Sequence, residues 1–296
     1  MLKTKTVLSL AFALLAPVSL LRAQDSLAAR WRAIAADAHG HVGVGALIIE
    51  SGQAASMNKS AHYPMQSVYK LPISMAVLQK VDQGQLALDQ SIEIKPDVYV
   101  PRGKRSPLRD DYPRGTHKSI RELMAYALVE SDGSASDVLL KLAGGPLAVT
   151  NYLRSLGITE IVVADSEMNI NWKTQYRNWC TPEAAVQLLA NLQNGKGLSS
   201  ASRSVIFDDL QKSQTGANRI RRLLPPGTIV ADKTGTSGTE RAVTAATNDI
   251  GLITLPDGRH LALAVFVSDS SASDAVRENV IAKIARAAWD AWVSEK

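Results

Sequence analysis

The strand-forming runs of this chain lie near its two ends, and helical patterns fill the span between them. Residues 42–50 form a continuous, buried-looking run closed by the turn signal Ser51-Gly52. The remaining runs all follow Gly227, at 228–233, 242–247, 250–255 and 261–269. The last two flank Pro256-Asp257-Gly258-Arg259, a hairpin signal. A lone early strand cannot hide its faces, so it must join the late ones. The pattern predicts an α/β (α+β) fold in which both termini build one antiparallel sheet with flanking helices, with an all-helical domain inserted between them. The expected boundaries are 24–60 with 213–296 for the sheet domain and 61–212 for the helical domain, a functional site lying between the two.

The flanking helices read as 25–38, with Leu27, Trp31, Ile34 and Ala35 at helical spacing, and 274–292. Inside the insertion, the apolar run 71–78 has the pattern of a buried helix, and Tyr63-Pro64-Met65-Gln66 before it reads as a turn. Residues 119–129 carry a capping box, Ser119 and Glu122. Helices at 134–142 and 147–156 stop at Gly144-Gly145-Pro146 and Gly157. Thr181-Pro182-Glu183 opens another helix with a capping hydroxyl, a proline at the first position and an acid in the first turn. Residues 199–212 give one more. Two stretches resist assignment. Residues 91–117 hold four prolines and many charges and read as loop with short strands. Residues 158–180 are irregular, aromatic and polar, long for a plain connection, which points to function.

The first 23 residues read as an export signal, with Lys3 and Lys5, an apolar stretch at 7–21 and cleavage after Ala23. About 15 apolar residues fall short of the roughly 20 that a membrane span needs. Removing the leader takes away Lys3, Lys5 and Arg22 and no acid, so the formal charge falls from +5 by three to +2. That balance, with both signs interspersed, gives no case for a nucleic-acid partner. Cys180 is the only cysteine, so an exported chain has no internal disulfide and its fold rests on its core. Apolar residues make up 46% of the sequence, enough for that core. Beside Trp179 and ahead of a helix start, Cys180 itself reads as a small packed residue.

The residues that can carry chemistry fall in four motifs. Ser67-Val68-Tyr69-Lys70 precedes the buried run, and helical residues three apart project from one face, so Ser67 and Lys70 share a side. Ser67 at a helix start has unpaired N–H groups and the positive dipole end beside it. A hydroxyl is a weak nucleophile until a base, such as a desolvated lysine amine, takes its proton. Ser131-Asp132-Gly133 sits in a break between two helices. Lys233-Thr234-Gly235-Thr236 ends a strand, where Gly235 would let a ligand approach the backbone. The long loop carries Asp165, Glu167, Asn169 and Asn171. Singly, each motif also has a bland reading: a capping serine, a solvent-facing lysine, an acidic surface loop.

Together, in this order and at these separations, the motifs resemble those of the class A serine β-lactamases. The likeness covers nearly the whole chain after the leader and includes Thr215-Gly216-Ala217-Asn218-Arg219 and Asn248-Asp249-Ile250-Gly251. Tyr176, Asn178 and Trp179 are similar to the branch that holds cephalosporinases and extended-spectrum enzymes. The resemblance implies β-lactam hydrolysis through a serine acyl-enzyme, and so antibiotic resistance. It implies a periplasmic monomer, with no stable membrane association after cleavage, a small β-lactam as substrate and no cofactor or metal. Ser67 would be the nucleophile, its proton taken by Lys70 or by the loop carboxylate. Ser131 would pass a proton to the leaving nitrogen, with Lys233 holding its hydroxyl. The N–H groups of Ser67 and Thr236 would form the oxyanion hole. Lys233, Thr234, Thr236 and Arg219 would hold the substrate carboxylate, with Gly235 in the same strand.

Two departures stand out. The family's Ser-Asp-Asn here ends in Gly133, losing a side chain that touches the substrate's amide carbonyl, which puts substrate and inhibitor preference in doubt. The family's deacylating glutamate stands four residues before an asparagine. Glu167 has that spacing to Asn171, and Asp165 has it to Asn169 with a side chain one methylene shorter. Chemistry favours Glu167, but the sequence leaves the register open. With neither in place the chain would be a penicillin-binding peptidase or a sensor that is acylated without turnover. An α/β-hydrolase-type esterase needs Gly-x-Ser-x-Gly, which the sequence lacks, and no metal-ligand spacing appears.

Overall fold

The computed structural model describes residues 18–293. Most of the expected export signal, residues 1–17, lies outside the described residues. The main sheet is built from β1 (His41–Ile48), β2 (Ala54–Met57), β3 (Val230–Thr236), β4 (Val243–Thr254) and β5 (His260–Ser270). Its order is β2-β1-β5-β4-β3, with the two-residue strand Thr239–Glu240 also paired to β4, antiparallel throughout. Both chain ends therefore meet in one sheet, Val44 of β1 pairing with Val265 of β5. The two strands expected at 242–247 and 250–255 are one continuous strand, β4. Asn248 and Asp249 look like breakers, yet both are buried and bonded. Asn248 Nδ2 donates to the Pro64 carbonyl at 2.8 Å, and Asp249 Oδ2 accepts the Ile220 N–H at 3.1 Å.

The helices are α1 (Val18–Ala35), α2 (Lys70–Asp82), α3 (Ile120–Leu128), α4 (Gly133–Ala143), α5 (Pro146–Ser155), α6 (Pro182–Gln193), α7 (Ser200–Gln211) and α8 (Asp274–Val293). Strand β5 separates two cores, because successive side chains point to opposite faces. Leu261, Leu263, Val265 and Val267 join Trp31 of α1 and Ile284 of α8. Ala262, Ala264 and Phe266 join Leu71, Ile73 and Met75 of α2. Burial on both faces explains why β5 reads as an unbroken apolar run. Each fully buried large side chain contributes about 1.5–3 kcal/mol. The Trp31 indole also donates to the Ile284 carbonyl at 3.2 Å, tying the terminal helices together.

The helix punctuation follows the sequence signals. Ser119 and Glu122 form the full capping box of α3, Thr181 caps α6, Ser199 caps α7, and Gly144 ends α4 in the left-handed conformation at φ 103°. Residues 91–117 hold an unanticipated helical turn, Pro107–Asp111, beside the strand pair Ser91–Ile94 and Thr116–Ser119. The turn expected at 63–66 is instead a short strand followed by the 3₁₀ turn Gln66–Tyr69. Tyr63 of that strand pairs with Cys180, which is fully buried, so the exit of the long loop is fastened to the approach to Ser67. Among the described residues, no helix is long and apolar enough to cross a membrane.

Candidate active site

Ser67 lies in the 3₁₀ turn that leads into α2, one turn earlier than a helix start, and is the only residue of 63–78 that is not buried. Three elements press that turn into place. The Met65 N–H donates to the Asn178 carbonyl at 2.8 Å, and Asn248 Nδ2 donates to the Pro64 and Met65 carbonyls. Gly235 of β3 supplies the third contact, since a Cβ there would overlap the Met65 carbonyl oxygen. Gly235 was expected to let a ligand approach the backbone; its nearest neighbour is the Met65 carbonyl, beside the turn that carries Ser67. Gln66 (φ 48°) and Ser131 (φ 57°) both adopt the left-handed region beside Ser67. Such strain typically amounts to about 1–3 kcal/mol and gathers at functional sites.

Lys70, Ser131 and Lys233 converge on this turn. The Lys70 ammonium is buried, donates to the Ser131 carbonyl at 2.7 Å and stands 3.7 Å from Glu167 Oε2. Burial lowers its pKa, against the opposing pull of Glu167 and Asp132. Lys233 donates to Ser131 Oγ at 3.0 Å and to the Thr234 carbonyl at 3.1 Å. Burial, then the charge on Lys70, hold its pKa well below the usual lysine value. Asp132 supports the motif from beneath, capping α4 through the Ala135 N–H at 2.8 Å and accepting the Leu108 N–H at 2.7 Å.

Of the two candidate loop carboxylates, Glu167 lines the cleft and Asp165 does not. Asp165 turns to Arg177 at 3.3 Å, and its backbone is clamped by Asn178. Burial raises the Glu167 pKa, but Lys70 and the Tyr69 hydroxyl more than offset it, and the net shift is downward. Asn171 lines the cleft too, its side-chain oxygen accepting the Lys173 and Thr174 N–H groups at 2.9 and 3.2 Å. Asn169 is exposed and outside the cleft lining; Gly133 is also outside the lining but buried, under the Glu167 side chain.

The opposite wall is β3 and the segment before it. Thr234 Oγ1 meets Thr215 Oγ1 at 2.6 Å. Arg219 is buried, pairs with Glu278 at 3.2 Å and donates to Thr236 Oγ1 at 2.7 Å. The cleft they enclose with Ser67 has a volume of about 570 Å³. Lys70, Lys104, Arg105 and Arg219 reach it against one acid, Glu167, which suits an anionic ligand. Among the described residues, no group of three or more His, Cys, Asp or Glu side chains stands together as metal ligands.

Three contributors went unseen in the sequence. Tyr69 donates its hydroxyl to Glu167 Oε2 at 2.5 Å. Asp137 accepts the N–H groups of Glu167 and Met168 at 2.6 and 2.8 Å, and burial pushes its pKa up to about 6. Lys104 donates to the carbonyls of Glu167 and Ile170, lacing the loop from across the cleft. All three act on the long loop, whose path no local signal reveals.

Residues 26–292 match the family model described as the β-lactamase enzyme family. The chain belongs to that family. It is 39% identical to β-lactamase VEB-1 of Pseudomonas aeruginosa over 258 residues, covering 85% of this chain and 86% of that protein. Extended-spectrum β-lactamase PER-1, also of Pseudomonas aeruginosa, is 39% identical over 79% of this chain and 76% of its own length. Among solved structures, a β-lactamase from Chitinophaga pinensis superposes with a TM-score of 0.88 at 44% identity, covering 90% of this chain and 99% of that one. TLA-1 extended-spectrum β-lactamase gives 0.89 at 40%, covering 92% and 99%. The enzyme is a class A serine β-lactamase, a hydrolase of the β-lactam amide that works through a serine acyl-enzyme and confers resistance.

Proposed function

We propose that Ser67 attacks the β-lactam carbonyl and that a water activated by Glu167 releases the product. The Ser67 proton passes to the basic cluster of Lys70 and Glu167 as the C–O bond forms. The C–N bond then breaks, its nitrogen taking a proton through Ser131, whose hydroxyl is held by Lys233. In the second half Glu167 takes a proton from water, the hydroxide adds to the ester carbonyl, and Ser67 leaves with its proton restored. Oxyanion donors at Ser67 and Thr236 serve both halves, each such donor being worth about 3 kcal/mol. Lys233, Thr234, Thr236 and Arg219 hold the substrate carboxylate. The observation that carries this assignment is Lys70, buried between the Ser131 carbonyl at 2.7 Å and Glu167 at 3.7 Å.

The finer reading is a cephalosporin-hydrolysing, extended-spectrum enzyme. Its support is the extended-spectrum description of the PER-1 and TLA-1 relatives and the cationic cleft. We further read it as a monomer exported to the periplasm, cut after Ala23 and free of the membrane thereafter. Its sheet domain would comprise 24–60 with 213–296 and its helical domain 61–212, with the cleft between them.

Intact-protein mass spectrometry with a cephalosporin, alongside substrate absorbance, tests the assignment. The parent should lose substrate rapidly with one transient adduct, and Ser67→Ala should show neither adduct nor turnover. Labelling of Ser67→Ala would overturn it, and a permanent parental adduct would mean an acylated sensor.

A further inference from the structure

We propose that Tyr69 is a positioning residue for deacylation: its hydroxyl pins one oxygen of Glu167 and leaves the other to face the hydrolytic water. The inference rests on Glu167 being the base. Tyr69 sits between the nucleophile and Lys70 in sequence, and its ring is fully buried. Its hydroxyl meets Glu167 Oε2 at 2.5 Å, the same oxygen that Lys70 faces at 3.7 Å. Oε2 thus takes the Tyr69 hydrogen bond and faces the Lys70 charge, and Oε1 remains for the water. Burial, with Glu167 and Asp137 nearby, drives the phenol well above its ordinary pKa, so it acts as a donor throughout the working range.

The backbone is fixed independently of the carboxylate. Asp137 takes the N–H groups of Glu167 and Met168, and Lys104 takes the carbonyls of Glu167 and Ile170. These contacts set where the loop lies but leave the side-chain torsions of Glu167 free, and Tyr69 restrains them. A charge-assisted bond of this length also stabilises the ionised carboxylate, the form a general base needs.

Tyr69→Phe keeps the ring and removes only the donor. Deacylation should slow about tenfold, the size expected for one hydrogen bond to a charged group. Lys70 remains to take the Ser67 proton, so acylation should suffer less than deacylation: kcat and KM should fall together, kcat/KM should fall far less than kcat, and the adduct should persist in the mass spectrum. Losing the donor raises the Glu167 pKa, so the acid limb of kcat should move to higher pH. Replacing Tyr69 by 3-fluorotyrosine keeps the packing and strengthens the donor. It should move that limb to lower pH, and it serves if Tyr69→Phe fails to fold. Parental kcat, KM and pH profile in Tyr69→Phe, or an unmoved limb in the fluorinated protein, would overturn the role. Glu167→Gln run in parallel separates the two readings. If it traps the acyl-enzyme while the Tyr69 variants behave as parent, only the Tyr69 role fails; if it turns over normally, the base assignment itself fails.

Discussion

A Cβ at Gly133 would stand 2.7 Å from Glu167 Cγ and 3.3 Å from the Arg105 carbonyl oxygen. The glycine that departs from the family's Ser-Asp-Asn therefore does more than remove a substrate contact: the glutamate side chain occupies the space above it. Restoring the family residue should harm the enzyme. Gly133→Asn is expected to push Glu167 from its position and lower kcat for a cephalosporin about tenfold through deacylation, since misplacing a reacting group has effects of this size or larger. Steady-state kinetics with adduct lifetimes would check it, and parental or faster turnover would show that Glu167 yields without loss. At this scale the three-residue spacing of Ser67 and Lys70 already placed them on one side, whereas Ser131 and Lys233 stood out only through the resemblance of the motifs taken together. Glu167 and Asp165 were not separable, because each meets the four-residue spacing to an asparagine and only the loop's path decides which one faces Lys70.

That path is an element-scale property. The loop at 158–180 is closed at its exit by the pairing of Tyr63 with Cys180, at its neck by Asn178, and across the cleft by Lys104. Tyr63 and Lys104 lie far away in sequence and Asn178 bonds back across the loop itself, so no periodicity or turn signal records these contacts. Strand β4 teaches the same lesson in reverse. Asn248 and Asp249 look like a break from sequence, yet both are bonded inside the protein, Asp249 to Ile220 and Asn248 to Pro64 and Met65, which makes Asn248 the joint between the sheet and the turn that carries Ser67. Gly235 belongs to that joint. Gly235→Ala should separate β3 from the Met65 carbonyl, reduce stability by ~1–3 kcal/mol as overpacking does, and slow acylation as well. Chemical denaturation together with the rate of adduct formation would test this. A stable variant acylated at the parental rate would contradict the joint.

For the whole molecule, the broad architecture was readable because it follows from burial. Strand-forming runs confined to the two ends had to meet, and β5, buried on both faces, joins the core of α1 and α8 to the core of α2. Capping residues marked the helices between, as the complete box at Ser119 and Glu122 illustrates. What sequence could not supply was the register of the long loop against that frame, and with it which of the two carboxylates lines the cleft. Glu167 is held at the cleft by Tyr69, Asp137 and Lys104, while Asp165 turns to Arg177. The direct test is intact-protein mass spectrometry of Glu167→Gln and Asp165→Asn after mixing with a cephalosporin. Glu167→Gln should become fully acylated and keep its adduct long after the parent has cleared it, whereas Asp165→Asn should turn over like the parent. An adduct trapped by Asp165→Asn, or cleared at the parental rate by Glu167→Gln, would contradict the account.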